Sequence, residues 1–177
     1  MPKTEVYYDI ETQLSADEVG GWGNIHLMRV SVAISWSEED GFKRWDEDSM
    51  ATFISYLSEF NRVVSFNGDG FDSRVLSRYG DVSVIKKNSF DVLADLKRRL
   101  GHRLSLDSIG QATLGIGKTA DGLQALRWWK EGKVDLIAEY CTQDVKVLMN
   151  VVAHGRNNGV IKFQDKFGHV ISVKVSW

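Results

Sequence analysis

The stretch Val6-Tyr7-Tyr8-Asp9-Ile10-Glu11-Thr12 places two carboxylates inside an apolar, aromatic run. Its β-branched and aromatic residues favour a strand, and side chains alternate between the two faces of a strand. Asp9 and Glu11 are two positions apart, so both project from the same face. Two acids on one face of an otherwise apolar strand predict a functional site at this strand.

Two further segments carry side chains suited to chemistry. The segment Phe66-Asn67-Gly68-Asp69-Gly70-Phe71-Asp72 follows an apolar run and a glycine-rich turn, so Asp72 lies where a strand passes into a helix. Sites in α/β sheets assemble at such junctions. Tyr140 and Asp144 are four positions apart in a helical pattern and therefore share one helix face. One site could thus collect four carboxylates and a phenol, and hard divalent ions such as Mg²⁺ prefer oxygen ligands.

Composition and charge restrict the protein classes. The chain has 177 residues, of which 43% are hydrophobic, and this suits a single globular domain. Its one cysteine, Cys141, excludes an internal disulfide and a cysteine-rich zinc site and is consistent with a reducing compartment. Neither a signal-like start nor a run long enough to span a bilayer is present, so we expect a cytoplasmic protein. The formal charge is -2, and it would be +2 without the four candidate carboxylates, which keeps nucleic acid open as a partner.

Hydrophobic periodicity predicts a mixed α/β order of elements. Strands are predicted at residues 4–10, 28–36, 42–45, 63–66 and, weakly, 84–90. Helices are predicted at residues 49–60, 71–79, 91–100, 105–113, 122–130 and 134–155. The period of two returns at 161–163 and 171–177 and predicts a terminal hairpin. We therefore expect an α/β protein with a mixed sheet flanked by helices, in which residues 160–177 form a hairpin appended to a domain of residues 1–159.

The three segments resemble, in the same order, the exonuclease motifs of the DEDD group within the ribonuclease H-like superfamily. The matching residues are Asp9 and Glu11 in the first motif, Asn67, Phe71 and Asp72 in the second, and Tyr140 and Asp144 in the third. The sister subgroup has a histidine five residues before the last aspartate, where this chain has Glu139, so the resemblance is to the DEDDy subgroup. The chain also resembles predicted bacterial ribonuclease H-like exonuclease domains, which are related to the proofreading domain of family B DNA polymerases and are sometimes found beside helicases. The resemblance covers roughly residues 4–155 and leaves the role of the hairpin open.

This resemblance implies a ribonuclease H-like fold for residues 1–159 and a metal-dependent 3′-to-5′ exonuclease activity. The substrate would be single-stranded or frayed DNA or RNA, and the products nucleoside monophosphates. Two Mg²⁺ or Mn²⁺ ions, about 4 Å apart, can activate a water and stabilise the leaving oxygen. Their implied ligands are Asp9, Glu11, Asp72 and Asp144. Tyr140 would orient the attacking water, and a helicase or repair protein is an expected partner.

The sequence indicates substrate contacts less clearly than it indicates the carboxylates. Those chosen from the motifs and the neighbouring loops are Thr12, Trp22, Asn67, Phe71 and Lys118. Trp22, in a glycine-rich loop, is suited to stacking on a base. The basic stretch 97–103 could follow a phosphate backbone, and a solvated helix face explains it equally well.

Each feature also has an ordinary explanation. Asp72 could cap a helix, and for Asp91, at a second strand-to-helix junction, a cap is favoured over a supporting role in the site. The segment 112–119 resembles a phosphate-binding P-loop, but it follows an apparent helix instead of a strand, which disfavours nucleotide hydrolysis. Two other function classes stay open: a non-catalytic nucleic-acid-binding or docking module, and an internally cutting nuclease of the same fold. Clustered carboxylates favour catalysis, since a module without chemistry has no evident use for crowded negative charge.

Overall fold

A five-stranded mixed sheet forms the centre of the protein. The structure, a computed structural model, describes residues 3–117 and 120–177. The strands of the sheet are β1 (Lys3–Thr12), β2 (Val30–Ser37), β3 (Gly41–Asp46), β4 (Phe60–Ser65) and β5 (Ser89–Asp91). They lie in the order β3-β2-β1-β4-β5, with β1 antiparallel to β2 and parallel to β4. The predicted mixed sheet is confirmed, and the strand that carries Asp9 and Glu11 is at its centre.

Helices cover both faces of this sheet. They are α1 (Met50–Leu57), α2 (Asp72–Leu76), α3 (Ser83–Lys87), α4 (Val92–Leu100), α5 (Leu106–Leu114), α6 (Gly122–Lys130) and α7 (Val134–Asn158). Short 3₁₀ helices occupy Trp22–Leu27 and Glu47–Ser49. In the described part of the chain, no helix has the length and apolar character that crossing a bilayer requires.

Alternation along β1 separates two hydrophobic clusters. Val6, Tyr8 and Ile10 pack into the cluster that contains α1 and α3, whereas Tyr7 packs into the cluster built around α7. Since successive residues of a strand face opposite sides, Asp9 and Glu11 share the face of Tyr7 and point toward α7. This alternation brings the acids of the first segment toward the helix that carries Tyr140 and Asp144.

The weak strand predicted at 84–90 is wrong over its first half. Residues Ser83–Lys87 form α3, and only Ser89–Asp91 pair as β5 with β4. Ile85 is buried while Val84 is 42% exposed, which is the one-sided burial of a short helix packed on the core. Residues 84–87, two apolar and two basic, are too few for periodicity to distinguish a helix from a strand. Tertiary packing therefore decides between the two.

The predicted C-terminal hairpin is confirmed as β6 (Val160–Gln164) and β7 (Val170–Lys174). Helix α5 lies along the free edge of β6. The Thr113 hydroxyl donates to the carbonyl of Lys162 at 2.8 Å and accepts from its N–H at 2.9 Å. The Ser108 hydroxyl makes the same pair of bonds with Gln164, each at 3.2 Å. Two hydroxyls thus replace a neighbouring strand and satisfy an otherwise open sheet edge.

The last residue fixes the hairpin to the helices. The indole of Trp177 donates to Oδ2 of Asp95 on α4 at 2.8 Å, and its ring lies edge-on to Phe90 at 5.9 Å. A Cβ added at Gly155 of α7 would lie 2.5 Å from the same ring. Only glycine at this position lets the ring approach the helix so closely, so the hairpin packs into the same cluster as α7.

Candidate active site

Asp9, Glu11 and Asp144 meet at the C-terminal end of β1. One carboxylate oxygen from each of the three lies within 4.8 Å of those from the other two. All three side chains are partly exposed, so the group is open to solvent and to a ligand. Divalent ions such as Mg²⁺ and Mn²⁺ prefer oxygen donors, and this donor set fits such an ion.

The charges in this group oppose one another. Desolvation raises the pKa of Asp9 well above its usual value, and the negative charges of Glu11, Asp72 and Asp144 raise it further. The Cys141 thiol has the opposite effect, because it donates a hydrogen bond to Oδ2 of Asp9 at 3.3 Å. Crowded carboxylates of this kind favour either a shared proton or a bound cation.

Asp72 reaches the same cleft from the first turn of α2 but lies outside the group of three. Its Oδ1 accepts a hydrogen bond from the backbone N–H of Ile10 at 3.3 Å, which ties it to β1 between the two acids of the first segment. It does not cap α2, since Phe71 occupies the N-cap position. Burial raises the pKa of Asp72 to about 7, and backbone hydrogen bonds partly oppose the rise. Asp72 is thus a buried carboxylate beside the group, with its charge only partly satisfied.

Tyr140 lies one helical turn before Asp144 on α7 and is buried. Burial raises the pKa of its phenol well above the ordinary value, and the charges of Asp144, Glu11 and Asp9 raise it further. A hydrogen bond with the Asp144 carboxylate acts in the same direction. The phenol therefore stays protonated at neutral pH, where it can orient a neighbour but cannot act as a base.

The carboxylate of Asp91 binds the backbone of the segment 66–72. Its Oδ1 accepts from the N–H of Asn67 at 2.8 Å, and its Oδ2 accepts from the N–H of Asp69 at 3.1 Å. The Oδ1 atom also caps α4 by accepting from the N–H of Ala94 at 3.1 Å. The predicted cap is confirmed, and the same carboxylate also holds the turn that leads to Asp72.

The turn itself tolerates few substitutions. Asn67 has a φ of 67°, in the left-handed region that asparagine adopts more readily than most residues. A Cβ added at Gly68 would lie 2.1 Å from Oγ of Ser65 and 3.0 Å from the hydroxyl of Tyr8. The Asn-Gly pair is therefore required by backbone geometry and close packing, in addition to any role in binding.

A cleft of about 670 Å³ adjoins the carboxylates. Four of the predicted substrate contacts, Thr12, Trp22, Asn67 and Phe71, line it together with Asp9, Glu11 and Asp72. Trp22 is 68% exposed, and its ring meets that of Phe71 edge-on at a centroid distance of 6.5 Å. Lys118, the fifth predicted contact, lies outside the described residues.

One part of the cleft lining was not predicted. It is formed by the start of α6, where Leu123 is 66% exposed beside Asp121 and Gly122. A salt bridge of 2.7 Å between Lys130 of α6 and Glu18 joins this helix to the loop that precedes Trp22. The helical pattern of 122–130 was recognised, but a leucine on a helix gives no sign of facing a cleft unless the packing of the helix is known.

The basic stretch 97–103 lies away from this cleft. Arg98 and Arg99 bind the carboxylate of Asp95 at 3.2 and 2.8 Å. His102 and Arg103 line a separate groove against the C-terminal hairpin. Trp128 and Trp129 of α6 are partly buried and pack against the core.

The chain matches a known protein family over most of its length. A family profile described as the RNase_H superfamily matches residues 6–156. The matched range includes Asp9, Glu11, Asp72, Tyr140 and Asp144 and leaves the C-terminal hairpin outside. No curated protein matches the chain.

Two solved structures are similar to the chain at low sequence identity. The family B DNA polymerase of the hyperthermophilic archaeon Pyrobaculum calidifontis superposes with a TM-score of 0.66 and 14% identity, over 89% of this chain and 25% of the polymerase. A structure of exonuclease I gives a TM-score of 0.46 and 13% identity, over 88% of this chain and 41% of the other. The chain therefore spans about a quarter of the polymerase and about two fifths of the exonuclease. At these identities the polymerase likeness shows a shared fold.

Proposed function

Because the chain belongs to the RNase H superfamily, we propose that it is a metal-dependent 3′-to-5′ exonuclease of the DEDDy type. The observation that carries the proposal is the meeting of Asp9, Glu11 and Asp144 within 4.8 Å. These residues come from a strand and a helix that are far apart in the chain, yet they converge, and Tyr140 lies beside Asp144 on the same helix. The resemblance of the motifs and the geometry of the site support the same activity.

Asp9, Glu11 and Asp144 would hold a divalent cation, and Asp72 would contribute from the edge of the same cleft. Two bound Mg²⁺ or Mn²⁺ ions would activate a water and stabilise the leaving oxygen of a phosphodiester. The raised pKa values of Asp9 and Asp72 mean that the carboxylates are not all ionised at neutral pH in the absence of a cation. Cation binding should therefore release protons from this site.

Tyr140 would position the attacking water through its hydroxyl. The raised pKa keeps the phenol protonated, so it serves as a fixed hydrogen-bonding group and leaves proton removal to other groups. Burial of the ring and the contact with Asp144 restrict its motion. A preorganised group of this kind lowers the cost of orienting water in the reaction.

The cleft is suited to a single unpaired nucleotide. Its volume of about 670 Å³ lies in the usual range for small-molecule sites. The exposed side chains of Trp22 and Leu123 both line it and provide apolar surface for a base. Stacking of this type tolerates any base, which fits an enzyme that removes nucleotides without regard to sequence from single-stranded or frayed ends.

The test is a time course on DNA and RNA strands labelled at the 5′ end, with Mn²⁺ or Mg²⁺. We expect a ladder that shortens from the 3′ end, release of nucleoside monophosphates, and protection by a 3′ block but not by a 5′ block. Asp144→Ala should abolish hydrolysis. Asp135→Ala is the matched control, because Asp135 lies on the same helix with its side chain 91% exposed and should leave the rate unchanged.

Two results would redirect the assignment. Mid-length products that appear early from a 3′-blocked strand would favour an internally cutting nuclease of the same fold. Binding of the strand without hydrolysis under all metal conditions would favour a non-catalytic docking module that assists a helicase or repair partner.

A further inference from the structure

A second groove lies between the connection from α4 to α5 and the tip of the C-terminal hairpin. It has a volume of about 570 Å³, and we call it the hairpin groove. The residues that line it include His102 and Arg103 of the connection and Phe163, Lys166, Phe167 and Ile171 of the hairpin. None of these residues lines the catalytic cleft.

The tip of the hairpin presents an aromatic ring to solvent. Phe167 is 73% exposed, and the ammonium group of Lys166 lies 5.0 Å from the centre of its ring. The carboxylate of Asp165 fixes the turn by accepting from the N–H groups of Phe167 and His169, both at 2.8 Å. A defined turn therefore holds the Phe167 ring toward solvent. The negative charge of Asp165 is occupied by hydrogen bonds inside that turn. Val170 and Ile171 of the same hairpin are 58% and 39% exposed, so Phe167 belongs to a group of exposed apolar side chains, and such a group marks an interaction surface.

Charge is concentrated at this end of the molecule. Residues 95–107 and 160–177 together contain three aspartates and seven basic side chains, in a chain whose formal charge is -2, and two of the basic side chains, Arg98 and Arg99, bind Asp95. The basic residues are Lys97, Arg98, Arg99, Arg103, Lys162, Lys166 and Lys174. A positive surface with an exposed aromatic ring complements the phosphates and bases of a single nucleic-acid strand.

The groove also borders the catalytic region. Leu104 lines the hairpin groove, and the next residue, Ser105, lines a small cavity shared with Tyr140 and Asp144. A strand whose 3′ end occupies the active site could continue past this short segment into the groove.

We propose that the hairpin groove binds single-stranded nucleic acid upstream of the end that is hydrolysed. Phe167 stacks on a base, and Arg103 and Lys166 contact phosphates. The choice of nucleic acid as the occupant rests on the proposed function, but the groove and its charge do not depend on hydrolysis. Binding can therefore be measured without any catalytic step.

The experiment measures the fluorescence anisotropy of labelled thymidine strands of about 5 and about 20 nucleotides with the full chain in chelator, at several salt concentrations. The variants are Phe167→Ala and the double variant Arg103→Gln/Lys166→Gln. Lys86→Gln/Lys87→Gln is the control, because these exposed lysines lie on α3, whose buried residues pack on the opposite face of the sheet from the hairpin. All substituted positions are exposed, and thermal melts verify that each variant stays folded.

We expect wild type and the control to bind the long strand more tightly than the short one. Phe167→Ala should weaken long-strand binding roughly tenfold, the usual effect of losing one stacked base. In the double variant, affinity should depend less on salt. The negative slope of the logarithm of the association constant against the logarithm of the salt concentration should become shallower by about 1.4, or about 0.7 for each phosphate that is no longer neutralised. Long-strand affinity that is unchanged in both variants, or equal for the two strand lengths in wild type, would overturn the proposal.

A competitor separates the occupants. A poly-glutamate peptide that displaces the strand as well as unlabelled strand does would show that the groove is an acidic-protein site and would refute the nucleic-acid assignment. If the groove variants weaken binding but the protein never hydrolyses a strand, the hairpin groove is still a nucleic-acid site and the proposed exonuclease activity is wrong. If the protein hydrolyses strands but the groove variants bind them as wild type does, the exonuclease activity is supported and the proposed role of the hairpin groove is wrong.

Discussion

The thiol of Cys141 lies 3.3 Å from Oδ2 of Asp9 and 3.4 Å from the carbonyl oxygen of the same residue. Cys141 is completely buried and immediately follows Tyr140 on α7. This contact joins α7 to the central strand β1 and limits the rotation of the Asp9 carboxylate. In metal sites, removing a group that hydrogen-bonds to a ligand typically weakens metal binding by about 10- to 100-fold.

Cys141→Ala should therefore weaken the binding of Mn²⁺ about tenfold, because the carboxylate loses the donor that orients it. Calorimetric titration of the folded variant with Mn²⁺ measures this directly. Cys141→Ser keeps a donor of similar size and should bind Mn²⁺ nearly as well as wild type. Equal affinity in the alanine variant and wild type would show that the thiol only fills space.

Tyr140→Phe removes one hydroxyl and should lower kcat by about 10², with little change in KM, if that hydroxyl positions the water. Because the raised pKa keeps the phenol protonated, the pH dependence of the remaining activity should resemble that of wild type. Steady-state kinetics on a short strand supply both values. Tyr7→Phe is the matched control, since the Tyr7 hydroxyl donates to Glu5 at 2.7 Å outside the site. A loss of the same size in both variants would mean that Tyr140 is structural.

Mn²⁺ should raise the melting temperature of the wild-type protein, because the cation relieves repulsion that exists only in the folded state. A hundredfold excess over the dissociation constant corresponds to about 2.7 kcal/mol. Asp9→Asn removes one charge from the group, so it should stabilise the metal-free protein slightly and reduce the response to Mn²⁺. The measurement is a set of thermal melts in chelator and in Mn²⁺. Superimposable wild-type melts in the two conditions would contradict a metal site in the free protein.

Asp72 should make the metal-free protein less stable as the pH rises. Burial raises its pKa from 3.8 to about 7, so the folded state holds a proton that the unfolded state has lost between these values. A raised folded-state pKa contributes stability below the unfolded value, and this contribution is lost as the pH rises through about 7. Asp72→Asn, which cannot ionise, should therefore gain stability relative to wild type between pH 4 and 8.

Chemical denaturation of both proteins in chelator across this pH range measures the difference. A constant difference between Asp72→Asn and wild type would show that Asp72 keeps the same protonation in the folded and unfolded states. Addition of Mn²⁺ should reduce the pH-dependent part, since a cation near the carboxylate favours its ionised form.

Local periodicity was sufficient to predict most elements of the fold. Alternation identified β1 and placed Asp9 and Glu11 on one face, and helical spacing placed Tyr140 beside Asp144. It did not distinguish α3 from a strand, because a run of so few residues carries too little periodicity. The 3₁₀ helix Trp22–Leu27 was also missed, since it follows a glycine-rich loop and buries only Ile25.

The sequence by itself determined which side chains share a face, because a strand repeats every two residues and a helix about every 3.6. Only the tertiary structure decided which of them meet. Asp9 and Cys141, separated by 132 positions, are in contact, while Asp72 stands beside the group of three acids instead of within it. The exposed Leu123 and the hairpin groove depend likewise on how elements dock. Distances between such elements are set by packing across the whole core, which no local pattern contains.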